Sequence, residues 1–188
     1  MKTMFDYQAY SDRFCKENGV SVSLSFDMPE GYETAYGTYD GETNTVYVNK
    51  RLLSGAPDHE KAFYLFHELR HAMQHLSPER FGDDVNRSLP YVILYDGACY
   101  KLVNGQYLEC RIEGDPAYLE SLYAGLPYEK DANTYAYERA RSVFGDSEAL
   151  RELYRFWLPR RQISDREYEA VYRFIDRAAG TGAESADA

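Results

Sequence analysis

Apolar and polar positions alternate along this chain with two periods, and the switches between them mark out its elements. Residues 4–18 put Phe5, Tyr7, Tyr10 and Phe14 along one side of a helix, and Asn18-Gly19 is a C-terminal stop. From Val20 to Phe26 apolar residues alternate strictly with serines, which predicts a half-buried strand. Pro29-Glu30-Gly31 turns the chain. A second strand is expected from about residue 34 to 39, and a third over 45–49 after the tight connection that begins at Asp40-Gly41. Over residues 58–76 Ala62, Phe66, Leu69, Met73 and Leu76 recur at steps of three and four, the stripe of an amphipathic helix. Pro57 is pre-set for a helical start and Asp58 is a good N-cap, while Ser77-Pro78 ends the helix.

Residues 77–90 are polar and read as loop, and Tyr91 to Tyr95 reads as a strand. Asn104-Gly105 is the strongest hairpin signal in the chain. A two-residue turn there sets Val103 opposite Gln106 and carries the register back to Cys99 opposite Cys110, a hydrogen-bonded pair position. A helix begins at Pro127 and is stopped by Gly145. Asp146 or Ser147 caps another helix that runs through Trp157 with Leu150, Leu153, Tyr154 and Trp157 as its apolar stripe. Ser164 to Glu167 is a capping box with Ile163 and Tyr168 as a hydrophobic staple, starting a helix to Ala179 that carries Val171, Phe174 and Ile175. Residues 180–188 are small and polar and predict a disordered tail. With no repeat and no long linker, the expected organisation is a single α+β domain over 1–179. It would have a small, mostly antiparallel sheet, and 147–179 would pack on it as a C-terminal helical extension.

Composition narrows the function classes. The 188 residues carry a formal charge of −10, which disfavours nucleic acid and anionic membrane surfaces as partners. No apolar run approaches the roughly 20 residues of a membrane span, and the segment from Met1 to Asp6 lacks a signal-peptide core. Three cysteines do not make a disulfide scaffold, so the expected compartment is the cytoplasm and the expected Cys99–Cys110 pair is reduced. No Cys-x-x-Cys spacing supports a metal site on Cys15, Cys99 and Cys110.

All four histidines, His59, His67, His71 and His75, fall in or at the first turn of the helix over 58–76. His67 and His71 are four apart and share a face, so both imidazoles reach one tetrahedral Zn²⁺. Glu68 follows the first histidine in the His-Glu-x-x-His pattern, where it poises water for attack as general base rather than binding the metal. A third ligand is needed. His75 lies two turns past His67, about 12 Å along the helix axis, too far for one ion. Position 77 is Ser77, so a histidine six residues after His71 is absent. A carboxylate from the helix after Pro127 remains. Glu129, Ala132, Asn133 and Ala136 share one face, which aims Glu129 at the zinc, sets Asn133 behind it and lets the small alanines bring the helix close. Asp131 stays open as an alternative ligand. The oxyanion of an attacked carbonyl needs a further donor, and His75, Tyr95 and Tyr128 are candidates.

The run from His67 to His71, followed by Glu129-Lys130-Asp131-Ala132-Asn133-Thr134-Tyr135-Ala136, resembles the ImmA/IrrE-like zinc metallopeptidases and related short proteins of phages and mobile elements. That family pairs a His-Glu-x-x-His helix with a later Glu-x-x-Ala-Asn-x-Phe-Ala helix, and the resemblance covers approximately residues 4–144. It implies a compact zincin-like fold, a zinc ion, and cleavage of a protein or peptide substrate such as a transcriptional repressor. Arg70 stands where the family has glycine, Tyr135 stands for phenylalanine, and the hairpin over 91–112 stretches the gap between the motifs. The alternative from a different class is a binding module that keeps zinc as a structural staple and recognises a protein without cutting it. The retained Glu68 speaks for the endopeptidase, because a structural site needs no general base.

Overall fold

A computed structural model describes residues 5–181. The chain begins with α1 (Tyr7–Asn18), β1 (Ser23–Ser25), β2 (Gly37–Asp40), β3 (Thr45–Val48) and α2 (Asp58–Leu76). A 3-10 turn at Pro78–Arg80 leads into α3 (Asp83–Ser88), β4 (Tyr91–Ile93), β5 (Ala98–Val103) and β6 (Gln106–Arg111). Four helices follow: α4 (Pro116–Gly125), α5 (Pro127–Phe144), α6 (Glu148–Phe156) and α7 (Asp165–Ala178). The class is α+β. Most of the tail expected over 180–188 lies outside the described residues, as does Met4 at the expected start of α1. No helix among the described residues is long and apolar enough to cross a membrane.

The chain forms two compact units, the first comprising the segment up to Asn86 with Asp131–Trp157, the second Arg87–Lys130 with the segment from Leu158 on. In the first unit β3 is the centre of a three-stranded sheet, with β1 parallel to it and β2 antiparallel. Phe14, Val46, Val48, Phe63, Phe66, Leu69, Ala136 and Leu150 share its core. Ten of the 19 residues of α2 are buried, so this helix runs through the core rather than lying on it with one stripe inward. Leu76, expected inside, is 41 % exposed at the last turn. Pro57 occupies the N-cap position without a side-chain cap, and Asp58, expected as the N-cap, is instead the first helical residue. β2 also starts later than its pattern suggests. The Asn49 side chain donates to the carbonyls of Glu33 and Ala35, so residues before Tyr36 are tied down by a side chain rather than by a ladder.

In the second unit β4, β5 and β6 form an antiparallel meander. Asn104 (φ 51°) and Gly105 (φ 78°) make the two-residue turn, and Val103 faces Gln106 and Cys99 faces Cys110 as the turn requires. Asp176 of α7 accepts from Tyr91 and Lys101, tying that helix to the meander. Ser164 and Glu167 form the capping box of α7, and Ile163 and Tyr168 are both buried. Phe174 is 42 % exposed, unlike Val171 and Ile175. Two helices escaped the sequence reading. α3 is six residues long with one apolar position, Val85, too short to show a period. α4 carries its signals openly, Asp115 capping the Tyr118 N–H and Pro116 at the first helical position.

Cys99 and Cys110 are free thiols, and burial pushes the Cys99 thiol up to about 12, with its hydrogen bond to Cys110 adding to the shift. At pH 8 the thiolate fraction of such a group is roughly one in ten thousand. Native protein should therefore lose Cys15 to iodoacetamide well before Cys99, and the Cys99 rate should climb about tenfold per pH unit up to pH 10, read by peptide mass mapping.

Candidate metal centre

The helical period of α2 places His67 and His71 one turn apart on one face. Their Nε2 atoms lie 2.9 Å from each other, and the rings stand at 90°. Glu129 sits in the first turn of α5 and is 7 % exposed. One ligand atom from each of His67, His71 and Glu129 falls within 4.8 Å of the others, two half-buried imidazoles and a buried carboxylate able to hold a metal ion. Two imidazole nitrogens and one carboxylate suit a borderline divalent cation, and the donor set leaves room for solvent or a substrate group. Asn133, one turn on from Glu129, is 3 % exposed, its Nδ2 donating to the Trp157 carbonyl at 3.5 Å while its Oδ1 is buried with no hydrogen-bond partner. Such an acceptor in a dry interior fits a site that takes up a polar guest.

Asp131, the alternative ligand, is engaged elsewhere. Arg70 donates Nε to its Oδ2 at 2.7 Å and Nη2 to its Oδ1 at 2.9 Å, and Gln74 donates Nε2 to Oδ2 at 2.9 Å. The guanidinium lies over two rings, 4.5 Å from the centroid of Phe81 and 4.7 Å from that of Tyr135. Gln74, fully buried, turns its Oε1 to His71 Nδ1 at 2.9 Å. The nearest backbone neighbours of α2 are β2, β3 and α1. α5 meets it through these long side chains, and its Ala136 and Ala140 are buried in the same core cluster as Phe66, Leu69 and Ala72 of α2.

Glu68 is 6 % exposed and packs against β2. A Cβ on Gly37 would stand 2.7 Å from Glu68 Cγ, 3.0 Å from its Oε1 and 3.0 Å from the Tyr47 carbonyl, so only glycine leaves the carboxylate where it is. Nothing in the alternation of the strand flagged Gly37. Gln74 was legible only as a polar residue three places after His71.

The candidate oxyanion donors differ in setting. His75 stacks obliquely on Tyr39, ring centroids 5.6 Å apart, and burial followed by the neighbouring His71 lowers its pKa. Tyr128 donates its hydroxyl to the Tyr91 carbonyl at 3.1 Å, and full burial lifts its pKa well above the usual tyrosine value. Its proton is committed to that carbonyl. Tyr95 follows β4 and is 65 % exposed. A scan against protein-family models, a search of curated proteins and a search of solved structures each found no match.

Divalent metal added to metal-free protein should bind at about one ion per chain, counted by elemental analysis after gel filtration. His67→Ala or His71→Ala should abolish this, while Asp131→Asn should keep the stoichiometry.

Proposed function

We propose that the chain is a zinc-dependent endopeptidase of the zincin-like, ImmA/IrrE-like kind, acting on an extended segment of a regulatory protein such as a transcriptional repressor. The observation that carries this reading is the company Glu68 keeps. It is a buried carboxylate between two candidate ligands in sequence, and its side chain abuts the main chain of a strand with an open edge. A structural metal site has no use for that arrangement.

β2 binds and orients. It ends the strand order β1-β3-β2, so no strand among the described residues pairs with its outer edge. The Asn49 N–H bonds the Tyr36 carbonyl, and by antiparallel alternation Thr38 and Asp40 turn their main-chain groups toward β3. Gly37 and Tyr39 then present N–H and C=O outward, where an extended peptide adds as a further strand. Its backbone is carried past Glu68, because Gly37 itself lies against that side chain.

His67, His71 and Glu129 would hold the zinc, which when bound supplies Lewis-acid polarisation of water and of the peptide carbonyl. Glu68 moves the proton. Its carboxylate accepts one from the attacking water as the new C–O bond forms, then delivers it to the amide nitrogen as the C–N bond breaks, leaving a carboxylate and an amine. Burial of Glu68 behind β2 keeps bulk water from competing for that proton.

The test compares zinc-loaded wild type with Glu68→Gln on candidate repressors from neighbouring genes. Wild type should cut one of them, and Glu68→Gln should bind it equally while cutting roughly 10²–10⁴-fold more slowly. Gly37→Val should keep its zinc and lose cleavage, because the new side chain displaces Glu68. Equal binding with no cleavage by any form would instead identify a zinc-stapled binding module.

A further inference from the structure

We propose that Arg70, Asp131 and Gln74 are positioning residues for the metal: they hold His71 in the tautomer that turns its Nε2 lone pair to the ion. This rests on the reading of His67, His71 and Glu129 as metal ligands. The chain of contacts is complete and its polarity is fixed from the far end. Arg70 has only donors, so Asp131 accepts on both oxygens, at 2.7 and 2.9 Å. Asp131 has only acceptors, so the Gln74 group that meets it at 2.9 Å is the amide nitrogen. The Gln74 oxygen therefore faces His71 Nδ1, also at 2.9 Å, and must receive a proton from it. A neutral imidazole that donates from Nδ1 has its lone pair on Nε2, the atom that faces His67 Nε2. The direction set by a guanidinium is thus passed through a carboxylate and an amide to a ligand nitrogen.

The anchor of the chain is built for rigidity. The Arg70 guanidinium lies over the rings of both Phe81 and Tyr135, at 4.5 and 4.7 Å from the ring centroids. Gln74 is fully buried, so its amide cannot exchange partners with solvent. Asp131 lies two residues after Glu129 on the same unbroken helix, so the bonds that orient His71 also hold the turn that carries the carboxylate ligand.

The test uses the full chain, metal-free and zinc-loaded. In metal-free wild type, long-range ¹H–¹⁵N correlation should find His71 protonated at Nδ1. Gln74→Met should redistribute that proton between the two ring nitrogens of His71, with His67 changing in step because its Nε2 shares the 2.9 Å contact, and leave the ring of His59 unchanged, a pattern that general loosening would not give. Zinc affinity, measured against a chelating dye, should fall about 10–100-fold in Gln74→Met and in Asp131→Asn at unchanged stoichiometry, the usual scale for such outer partners. Arg70→Lys, which keeps the charge but not the fork, should fall between these variants and wild type. Folded variants that bind zinc within about threefold of wild type, or a His71 protonated at Nε2 in the wild type, would overturn the proposal. A wild-type chain that takes up no zinc would overturn the metal reading along with it.

Discussion

Arg70 and Asp131 meet through two nearly parallel hydrogen bonds, and Gln74 adds a third to the same carboxylate. Both ionic side chains are mostly withdrawn from solvent, 21 % and 25 % exposed. Removing two charges from water costs much of what their attraction returns, so the pair contributes little net stability. Its effect is positional. A planar fork accepts a carboxylate in one geometry, and the rings of Phe81 and Tyr135 hold that plane in place, each worth about 0.5–2 kcal/mol as a cation–π contact. The turn of α5 that carries Asp131 is thereby tied to the middle of α2.

Arg70, just before the second histidine, brings a cation that needs an acidic partner, and Asp131 answers from the other helix. The third carboxylate of the neighbourhood is thus consumed by structure, which leaves Glu129 to the metal triad.

On the other side of α2 the controlling factor is space. Glu68 lies so near β2 that a single methyl group at Gly37 would collide with it. The strand is kept in that position from its two ends. Asn49 ties down the residues before it, and Tyr36 stacks on Tyr64 of α2 with ring centroids 4.3 Å apart. At its far end Asp40 accepts from the Glu42 N–H and the Thr43 hydroxyl, which closes the connection to β3. The strand is thus fixed at both ends, with its main chain set against a buried acid.

Local signals carried much of this protein. The period of α2, the Asn104-Gly105 turn with its Cys99–Cys110 register, the start of α5 at Pro127 and the capping box of α7 depend on neighbours within a few residues, so the chain announces them. The spacing of His67, Glu68 and His71 belongs to the same kind, because a helix converts a four-residue interval into a shared face. Helical phase also favoured Glu129, which shares a face with Asn133, over Asp131, but it could not close the choice between them, because a carboxylate's partner lies elsewhere in the chain. That choice was made by Arg70, 61 residues away in the chain. The need for glycine at position 37, the single turn of α3, the burial of α2 on more than one side and the parallel pairing of β1 with β3 were likewise settled by contacts between distant segments. Short-range chemistry wrote the elements and the ligand spacing. Only the packed chain determined which carboxylate faces the histidines, because that depends on which groups exclude one another from the same space.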